Sequence, residues 1–290
     1  YMTIKPALSH GGAKNWGSAF LPGVYQGTAV GNSGLKVADI EKEPIEYLFR
    51  KGFTPEQRRF ELEMLQNINR RHASLRSPDP EMEARIQAFE LAFRMQSQAP
   101  EAFDLSKETE ATRRLYGMDE EATRDFGWQC LLARRLAERG VRFIQCTHSY
   151  KWDQHSQLFE KHNENAREVD KPIAGLLKDL RSRGMLKDTL VIWAGEFGRT
   201  PVSQGGDGRD HNPYGYSIWM AGGGVKGGFA YGATDEIGYH AVEDRMHIHD
   251  FHATVLHLMG LDHEKLTYHY TGRDFRLTDV AGVVARRIIA

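Results

Sequence analysis

The chain has 290 residues, of which 40% are hydrophobic and 10% aromatic, enough for one large core or two modest domains. Its 38 basic and 39 acidic residues are spread along the sequence and leave a formal net charge of -1, which argues against a nucleic-acid or anionic-membrane partner. No apolar run reaches the roughly 18 residues of a membrane span, and Cys130 and Cys146 form no CxxC pair, so neither a membrane span nor a disulfide framework is predicted.

The first 34 residues are predicted to be loop, because they are rich in glycine, asparagine, serine and proline. A structureless stretch longer than roughly 15 residues argues against a complete compact domain. We therefore expect the chain to begin inside a domain, with the N-terminal strands of its sheet missing.

Helices are predicted after this loop. Thr54, followed by Pro55 at the first helical position, is a strong start signal, and apolar residues then recur on one face. Such stripes are typical of packing elements rather than of ligand sites. With the loop, these helices make residues 1–120 a loop and helical portion. The predicted helices cover about residues 54–71, 79–99 and 106–116.

Residues 121–290 read as an α/β core portion, because helices alternate there with short apolar runs. This pattern predicts a mostly parallel sheet flanked by helices. A helix of crossover length, with a kink or restart at Pro172, separates the strands that end near Cys146 and Ala194, so we expect these strands to be parallel neighbours. The predicted elements are helices over about 123–139, 169–184 and 250–260, and strands over 141–146, 189–194 and 216–221.

Polar side chains lie at the ends of all three predicted strands. Asp153 and His155 follow the first strand, Glu196 follows the second, and His211 precedes the third. Ligands bind beyond the carboxyl ends of parallel strands, so we expect these four residues to meet in one crevice. Their mixture of carboxylates and imidazoles predicts a divalent metal, namely zinc, manganese or calcium. The alternative is a set of solvated loop residues.

Two further residues are candidates for catalytic roles beside this site. The planar fork of Arg199 suits a pair of phosphate or sulfate oxygens, although an ion pair with Glu196 that holds the loop is an equally good interpretation. Asp210 is expected to orient His211 as a supporting partner.

A second polar cluster, in residues 247–252, competes with this assignment. It contains His247, His249, Asp250 and His252. Asp250 is also well placed to be the N-cap of a following helix, accepting a hydrogen bond from a backbone N–H near Ala253. Nearby, Gly222–Gly224 is interpreted as a tight connection because it lacks the lysine and the serine or threonine of a phosphate-binding loop.

Three segments carry a resemblance to a known family. They are GEFGRTP, GRDHNP and HDFHATVLHLMGLD, within a match from about Pro6 to Ala290. The chain resembles the alkaline phosphatase and sulfatase superfamily, and more closely its bacterial sulfatase-like family called domain of unknown function 1501. The resemblance implies that residues 1–290 are the C-terminal part of a single sulfatase-like domain, exported or periplasmic in bacteria.

The resemblance also implies roles for individual residues. In the superfamily, two metal ions flank a serine, threonine or formylglycine nucleophile, which would belong to an N-terminal segment that this chain does not contain. Asp153 and His155 resemble the Asp/His pair of the first metal, and His211 resembles its late histidine. Glu196 stands where the superfamily has the Asp of an Asp-His pair. Phe197 stands where the superfamily has the histidine of that pair. The chain therefore departs from the superfamily pattern at the second metal site.

Two functions follow as expectations. The first is a metal-dependent hydrolase of sulfate or phosphate esters, acting on a small-molecule or glycan ester through Asp153, His155, Glu196 and His211 at the metal, with Arg199 on an ester oxygen. The second is a non-catalytic sulfatase-like protein that binds a sulfated or phosphorylated glycan. Phe197 favours the second, and metal content distinguishes the two.

Overall fold

The computed structural model describes residues 1–9, 11–46, 52–75, 86, 90, 101–149 and 151–290. The chain is mixed α/β and divides into two compact units, one of residues 1–150 with 168–173 and the other of residues 151–167 with 174–290. The α-helices are α1 (Val37–Ile40), α2 (Pro55–Ser74), α3 (Glu110–Leu115), α4 (Glu121–Glu138), α5 (Leu158–Ser182) and α6 (Ile248–Leu258). The helix predicted over 79–99 lies almost entirely outside the described residues.

The strands are short and pair in small sheets. They are β1 (Met2–Ile4), β2 (Thr28–Val30), β3 (Ile144–Cys146), β4 (Val191–Trp193), β5 (Gly198–Gln204), β6 (Gly208–Asn212), β7 (Trp219–Ala221), β8 (Ala233–Thr234), β9 (Ala241–Glu243), β10 (Thr267–Tyr270) and β11 (Arg273–Arg276). In this described set, β2, β1 and β3 form a three-stranded parallel sheet, and the pairs β4–β7, β5–β6, β8–β9 and β10–β11 are antiparallel.

The parallel sheet lies in the first unit and corrects the prediction of an N-terminal loop. β1 is its middle strand, with Met2 opposite Thr28 on one side and opposite Ile144 on the other. All three residues of β1 are buried. β1 and β2 escaped prediction because each has only three residues and lies in a segment rich in glycine and proline, where no alternation of side chains can be seen, whereas β3 lies within the strand predicted over 141–146.

The expected parallel pairing of the strands ending near Cys146 and Ala194 is wrong. β3 pairs in parallel with β1, whereas β4 pairs antiparallel with β7, with Val191 opposite Ala221. The crossover-length helix that motivated the prediction does exist as α5, but it begins at Leu158 and continues through Pro172 without a break. Its first turns escaped prediction because they are polar. A connecting helix of this length therefore does not by itself specify parallel neighbours.

Helix α4 forms the core of the first unit. Trp128, Leu131 and Leu132 of this helix are almost completely buried. The helix ends before Gly140, whose positive φ of 81° breaks it as the sequence predicts. Beside this core, Arg134 and Arg135 both form ion pairs with the buried Glu108.

Helix α2 also begins as predicted. Thr54 accepts a hydrogen bond from the backbone N–H of Gln57, and the Gln57 side chain accepts one from Thr54 in a capping box. Its apolar stripe, which includes Phe60 and Ile68, is exposed. Among the described residues, no helix is both long and apolar enough to span a bilayer.

Candidate functional site

Three ligand atoms converge in the second unit. Oδ1 of Asp153 lies 3.1 Å from Nε2 of His155 and 3.0 Å from Nε2 of His211. One potential ligand atom from each residue lies within 4.8 Å of the others, and all three side chains are exposed. Ligand atoms on a tetrahedral ion at about 2.0–2.1 Å lie about 3.3 Å apart. The two distances from Asp153 are close to this spacing, which is also the length of an ordinary N–H···O hydrogen bond.

The loop that carries Asp153 and His155 is fixed against strand β6. The backbone N–H of Arg209 donates to the carbonyl of Gln154 at 3.0 Å, and a Cβ on Gly208 would lie 1.9 Å from the carbonyl oxygen of His155. Only glycine permits so close an approach. Gly208 therefore places the loop where its two polar side chains reach His211.

Trp152 anchors the same loop from the other side. Its ring makes edge contacts with Trp193 at the end of β4, at 5.8 Å between centroids, and with His162 in α5, at 5.3 Å. Its backbone has a positive φ of 61°, which is unusual for a bulky residue. Burial lowers the pKa of His162, so this imidazole is neutral in the packed cluster. The aromatic contacts hold Asp153 at the end of β4.

His211 and Arg199 come from the hairpin formed by β5 and β6, where they are direct cross-strand partners. The Arg199 Nη2 atom donates to Oδ1 of Asp153 at 2.5 Å and to the Trp152 carbonyl at 2.8 Å. The hydrogen bond from Arg199, followed by that from His211, lowers the pKa of Asp153 from 3.8 to about 2. Asp153 is thus a carboxylate at every physiological pH.

Gln204 determines which nitrogen of His155 faces Asp153. Oε1 of Gln204 lies 2.5 Å from Nδ1 of His155, and because an amide oxygen only accepts, Nδ1 carries the proton. With Nδ1 engaged in this way, Nε2 of His155 faces a carboxylate oxygen of Asp153. That arrangement is unfavourable unless a proton or a metal ion lies between the two atoms.

An aromatic ring covers one face of His211. The ring of Phe197 stacks on that imidazole with 4.0 Å between centroids and 29° between planes. The Arg199 guanidinium lies 5.7 Å from the centroid of the same Phe197 ring. Phe197 therefore restricts the rotation of His211, and Nε2 remains directed at Asp153.

The other predicted site residues occupy different positions. Among the described residues, the convergent group is Asp153, His155 and His211, and Glu196 is not part of it. Glu196 precedes β5 by two residues, and its role as a ligand stays a prediction. Asp210 accepts a hydrogen bond from the backbone N–H of His211 at 2.7 Å. It therefore supports the backbone of His211, and the imidazole is held by other groups.

The cluster in residues 247–252 serves to start helix α6. His247, and not Asp250, is the N-cap, and its Nδ1 accepts from the backbone N–H of His249. Asp250 accepts instead from the backbone N–H groups of His247, at 2.9 Å, and Val283, at 2.7 Å. The predicted N-cap role of Asp250 is wrong because the N-cap lies three residues earlier, at His247, so the helix begins at Ile248 and Asp250 lies in its first turn.

Two residues of the site region have roles that the sequence does not predict. Gln204 holds His155, and Asn212, which is fully buried, accepts from the N–H of Tyr214 and donates to the Tyr239 carbonyl at 2.8 Å. An asparagine before a proline in a glycine-rich segment is a turn signal that could have indicated its structural role. Gln204 carried no such signal, because its partner lies 49 residues away.

Comparison with known proteins gives one family. A family model with the description "Protein of unknown function (DUF1501)" matches residues 2–289. No curated protein and no solved structure matches the chain at a significant level.

Proposed function

The chain belongs to the family described as protein of unknown function (DUF1501), and on that premise we propose that it is a metal-dependent hydrolase of sulfate or phosphate esters. The observation that carries the proposal is the convergence of Asp153, His155 and His211, with Gln204 holding the proton of His155 on the far nitrogen. We also propose that the fold belongs to the alkaline phosphatase and sulfatase superfamily, on the basis of the GEFGRTP and GRDHNP segments.

The three donor atoms favour particular metals. Two imidazole nitrogens and one carboxylate oxygen suit zinc or another transition ion such as manganese, with further positions open to substrate or water. Calcium takes six to eight oxygen ligands, so the two imidazoles do not suit it. The exposure of all three side chains leaves the open side of the ion accessible to an ester.

Arg199 is the anion-binding group in this proposal. Its guanidinium already contacts the carboxylate of Asp153, so it lies within reach of an oxyanion at the ion. Asp153, His155 and His211 would hold a divalent ion, which would supply polarisation of the ester and an activated water to attack its sulfur or phosphorus atom, with the alcohol leaving. Arg199 would donate two parallel hydrogen bonds to the sulfate or phosphate oxygens. Asp153 would then exchange the guanidinium for the ion as its main partner. Phe197 and Gln204 would hold the two imidazoles throughout.

Hydrolysis of p-nitrophenyl phosphate and p-nitrophenyl sulfate tests this function. The protein is stripped with a chelator, reloaded with zinc or manganese, and compared with the His211→Ala variant. We expect hydrolysis of one ester that depends on added metal and falls at least a hundredfold in the variant, since one ligand of the ion is lost. Metal-independent hydrolysis, or equal rates in the two proteins, would contradict the proposal.

A non-catalytic binding protein is the second candidate, and Phe197 favours it. The superfamily has a metal-binding histidine at the corresponding position, and Phe197 instead stacks on His211. A protein of this kind would bind metal and a sulfated or phosphorylated glycan without turnover. Tight binding of inorganic sulfate or phosphate, combined with no hydrolysis of either ester, would select this candidate.

A further inference from the structure

Three aromatic rings cluster just beyond the end of β6. Tyr214 and Tyr239 stack with 5.9 Å between centroids and 22° between planes, and His240 lies against both, at 5.3 Å and 4.7 Å. Tyr214 is 59% exposed, and His240 is also exposed. We call Tyr214, Tyr239 and His240 the tyrosine platform. Large apolar rings exposed together are typical of binding surfaces.

Buried polar contacts hold the platform rigidly. Asn212 bonds the backbone of both tyrosines, and the N–H of Ala241 donates to the Tyr214 carbonyl at 2.8 Å. A Cβ on Gly215 would lie 2.9 Å from the Tyr239 carbonyl oxygen, so the two backbone segments are in direct contact. The backbone that carries these rings is therefore fixed before any ligand binds, which reduces the entropic cost of binding.

A carboxylate completes the platform. Oδ1 of Asp235 accepts from the N–H of Tyr239 at 2.7 Å, and Oδ2 accepts from the N–H of His240 at 3.0 Å. These backbone hydrogen bonds lower the pKa of Asp235, so the group is ionised at neutral pH. Each carboxylate oxygen can accept two hydrogen bonds. After the bond from Tyr239, Oδ1 of Asp235 has one acceptor position available for a hydroxyl group.

The platform is tied to the metal-binding cluster through the chain. Tyr214 is three residues from His211, and Asn212 between them is paired with Gly198 at the end of the hairpin. Three residues span at most about 11 Å between Cα atoms. The rings therefore lie within reach of the alcohol portion of an ester whose sulfate or phosphate group lies at the cluster.

We propose that the tyrosine platform binds the sugar ring of a sulfated or phosphorylated sugar whose acid group lies at the Asp153, His155 and His211 cluster. A sugar ring has an apolar C–H face that packs on a tyrosine ring. Its hydroxyl groups can donate hydrogen bonds to the carboxylate of Asp235. An aryl group would use the rings but would leave the remaining acceptor position of Asp235 unused. The position of the acid group rests on the proposed function. The binding of the sugar ring to the tyrosine platform is inferred from the contacts of the platform alone.

Calorimetric titration of the manganese-loaded chain tests the inference, with inorganic sulfate, glucose 6-sulfate and phenyl sulfate as probes. The variants are Tyr214→Ala, which removes the ring, and Tyr214→Trp, which retains a stacking surface. Tyr25→Ala is the matched control, because Tyr25 has the same 59% exposure in the other unit.

We expect wild type to bind glucose 6-sulfate about fivefold more tightly than inorganic sulfate, the order of one aromatic stacking contact. Tyr214→Ala should abolish this preference without changing the affinity for inorganic sulfate, whereas Tyr214→Trp and Tyr25→Ala should keep it. Equal binding of both probes by wild type, survival of the preference in Tyr214→Ala, or a preference for phenyl sulfate would overturn the inference.

Failure of the proposed function gives a different result. If wild type binds neither metal nor inorganic sulfate, titration with methyl glucoside decides about the platform alone. Millimolar binding that is lost in Tyr214→Ala and kept in Tyr25→Ala would support a sugar site without the hydrolytic cluster. Absence of binding would overturn it.

Discussion

Arg199 and His211 are opposite each other in the β5–β6 hairpin, and both side chains reach the same oxygen of Asp153, at 2.5 Å and 3.0 Å. In the proposed function, the hairpin therefore presents the anion-binding guanidinium and the metal-binding imidazole from neighbouring positions. Oδ1 of Asp153 contacts both groups.

Replacing Arg199 should change the titration of Asp153. The guanidinium is the largest cause of its low pKa of about 2, so Arg199→Gln should raise that pKa towards the ordinary 3.8. In wild type, the carboxylate and its ion pair should persist until the pH falls to about 2. NMR titration of the Asp153 side-chain carbon measures this shift. Arg273→Gln, which removes a separate surface ion pair with Asp279, is the control, and an unchanged pKa in Arg199→Gln would contradict the described pairing.

The acceptor oxygen of Gln204 should increase the affinity of the cluster for metal. Gln204→Leu removes the partner of Nδ1 of His155, and loss of such a supporting contact typically weakens metal binding about 10- to 100-fold. Gln204→Glu retains an acceptor and should bind metal nearly as tightly as wild type. Calorimetric zinc or manganese titration distinguishes the two variants. Equal affinities in both would show that Gln204 does not determine the tautomer.

Gly208 should be intolerant of any side chain. A Cβ there would meet the His155 carbonyl at 1.9 Å, so Gly208→Ala must displace the loop that carries Asp153 and His155. We expect this variant to lose metal binding and about 2 kcal/mol or more of unfolding free energy. Gly227→Ala is the control, because a Cβ at Gly227 meets nothing within 4 Å. Metal titration and chemical denaturation measure both effects, and wild-type values for Gly208→Ala would contradict the described contact.

Much of the helical structure follows from the sequence, because its signals are local. Thr54 with Pro55 starts α2, and Gly140 ends α4, as their residue types predict. The hairpin carrying the site was not predictable in the same way. Gly198–Gln204 contains Pro201, which is unusual in a strand, and the pairing is accommodated by a register shift between Arg199 and Ser203.

The convergence of Asp153, His155 and His211 agrees with the prediction, but not for the reason given by the sequence. Asp153, His155 and His211 were expected to meet at the edge of a parallel sheet, yet His211 lies on an antiparallel hairpin. Their residue types carried the prediction, since a histidine between an aspartate and an asparagine in a polar segment has no core role. Contacts over long sequence separations, such as that of Gly208 with His155, leave no local pattern in the sequence.

The buried ion pairs of Glu108 should stabilise the first unit. Burial raises the pKa of Glu108, but hydrogen bonds from Arg135 and Arg134 outweigh it and hold the pKa below 4.5. Glu108→Gln removes one charged partner from each guanidinium, while Arg134 keeps Glu138 and Arg135 keeps two backbone carbonyls. We therefore expect a loss of about 2 kcal/mol of unfolding free energy at pH 7.

The loss of stability in Glu108→Gln should become smaller as the pH falls. Because the folded pKa of Glu108 is depressed, its contribution is fully present above about pH 4.5 and disappears as the pH falls through the folded value. Urea denaturation of wild type and Glu108→Gln should therefore converge at acidic pH. Glu110→Gln, at the exposed pair with Arg114, should cost under about 1 kcal/mol. An equal cost for both variants would contradict a buried role for Glu108.

Metal stoichiometry most directly tests the central claim that Asp153, His155 and His211 hold one divalent ion. The chain is saturated with zinc or manganese, freed of excess metal and measured by elemental analysis beside His211→Ala and His269→Ala. His269 is the matched control, because it lies 2.8 Å from Asp274 on another exposed hairpin. We predict about one ion per chain for wild type and His269→Ala, and less than a tenth of that for His211→Ala. Equal metal in all three proteins, or none in wild type, would contradict the claim.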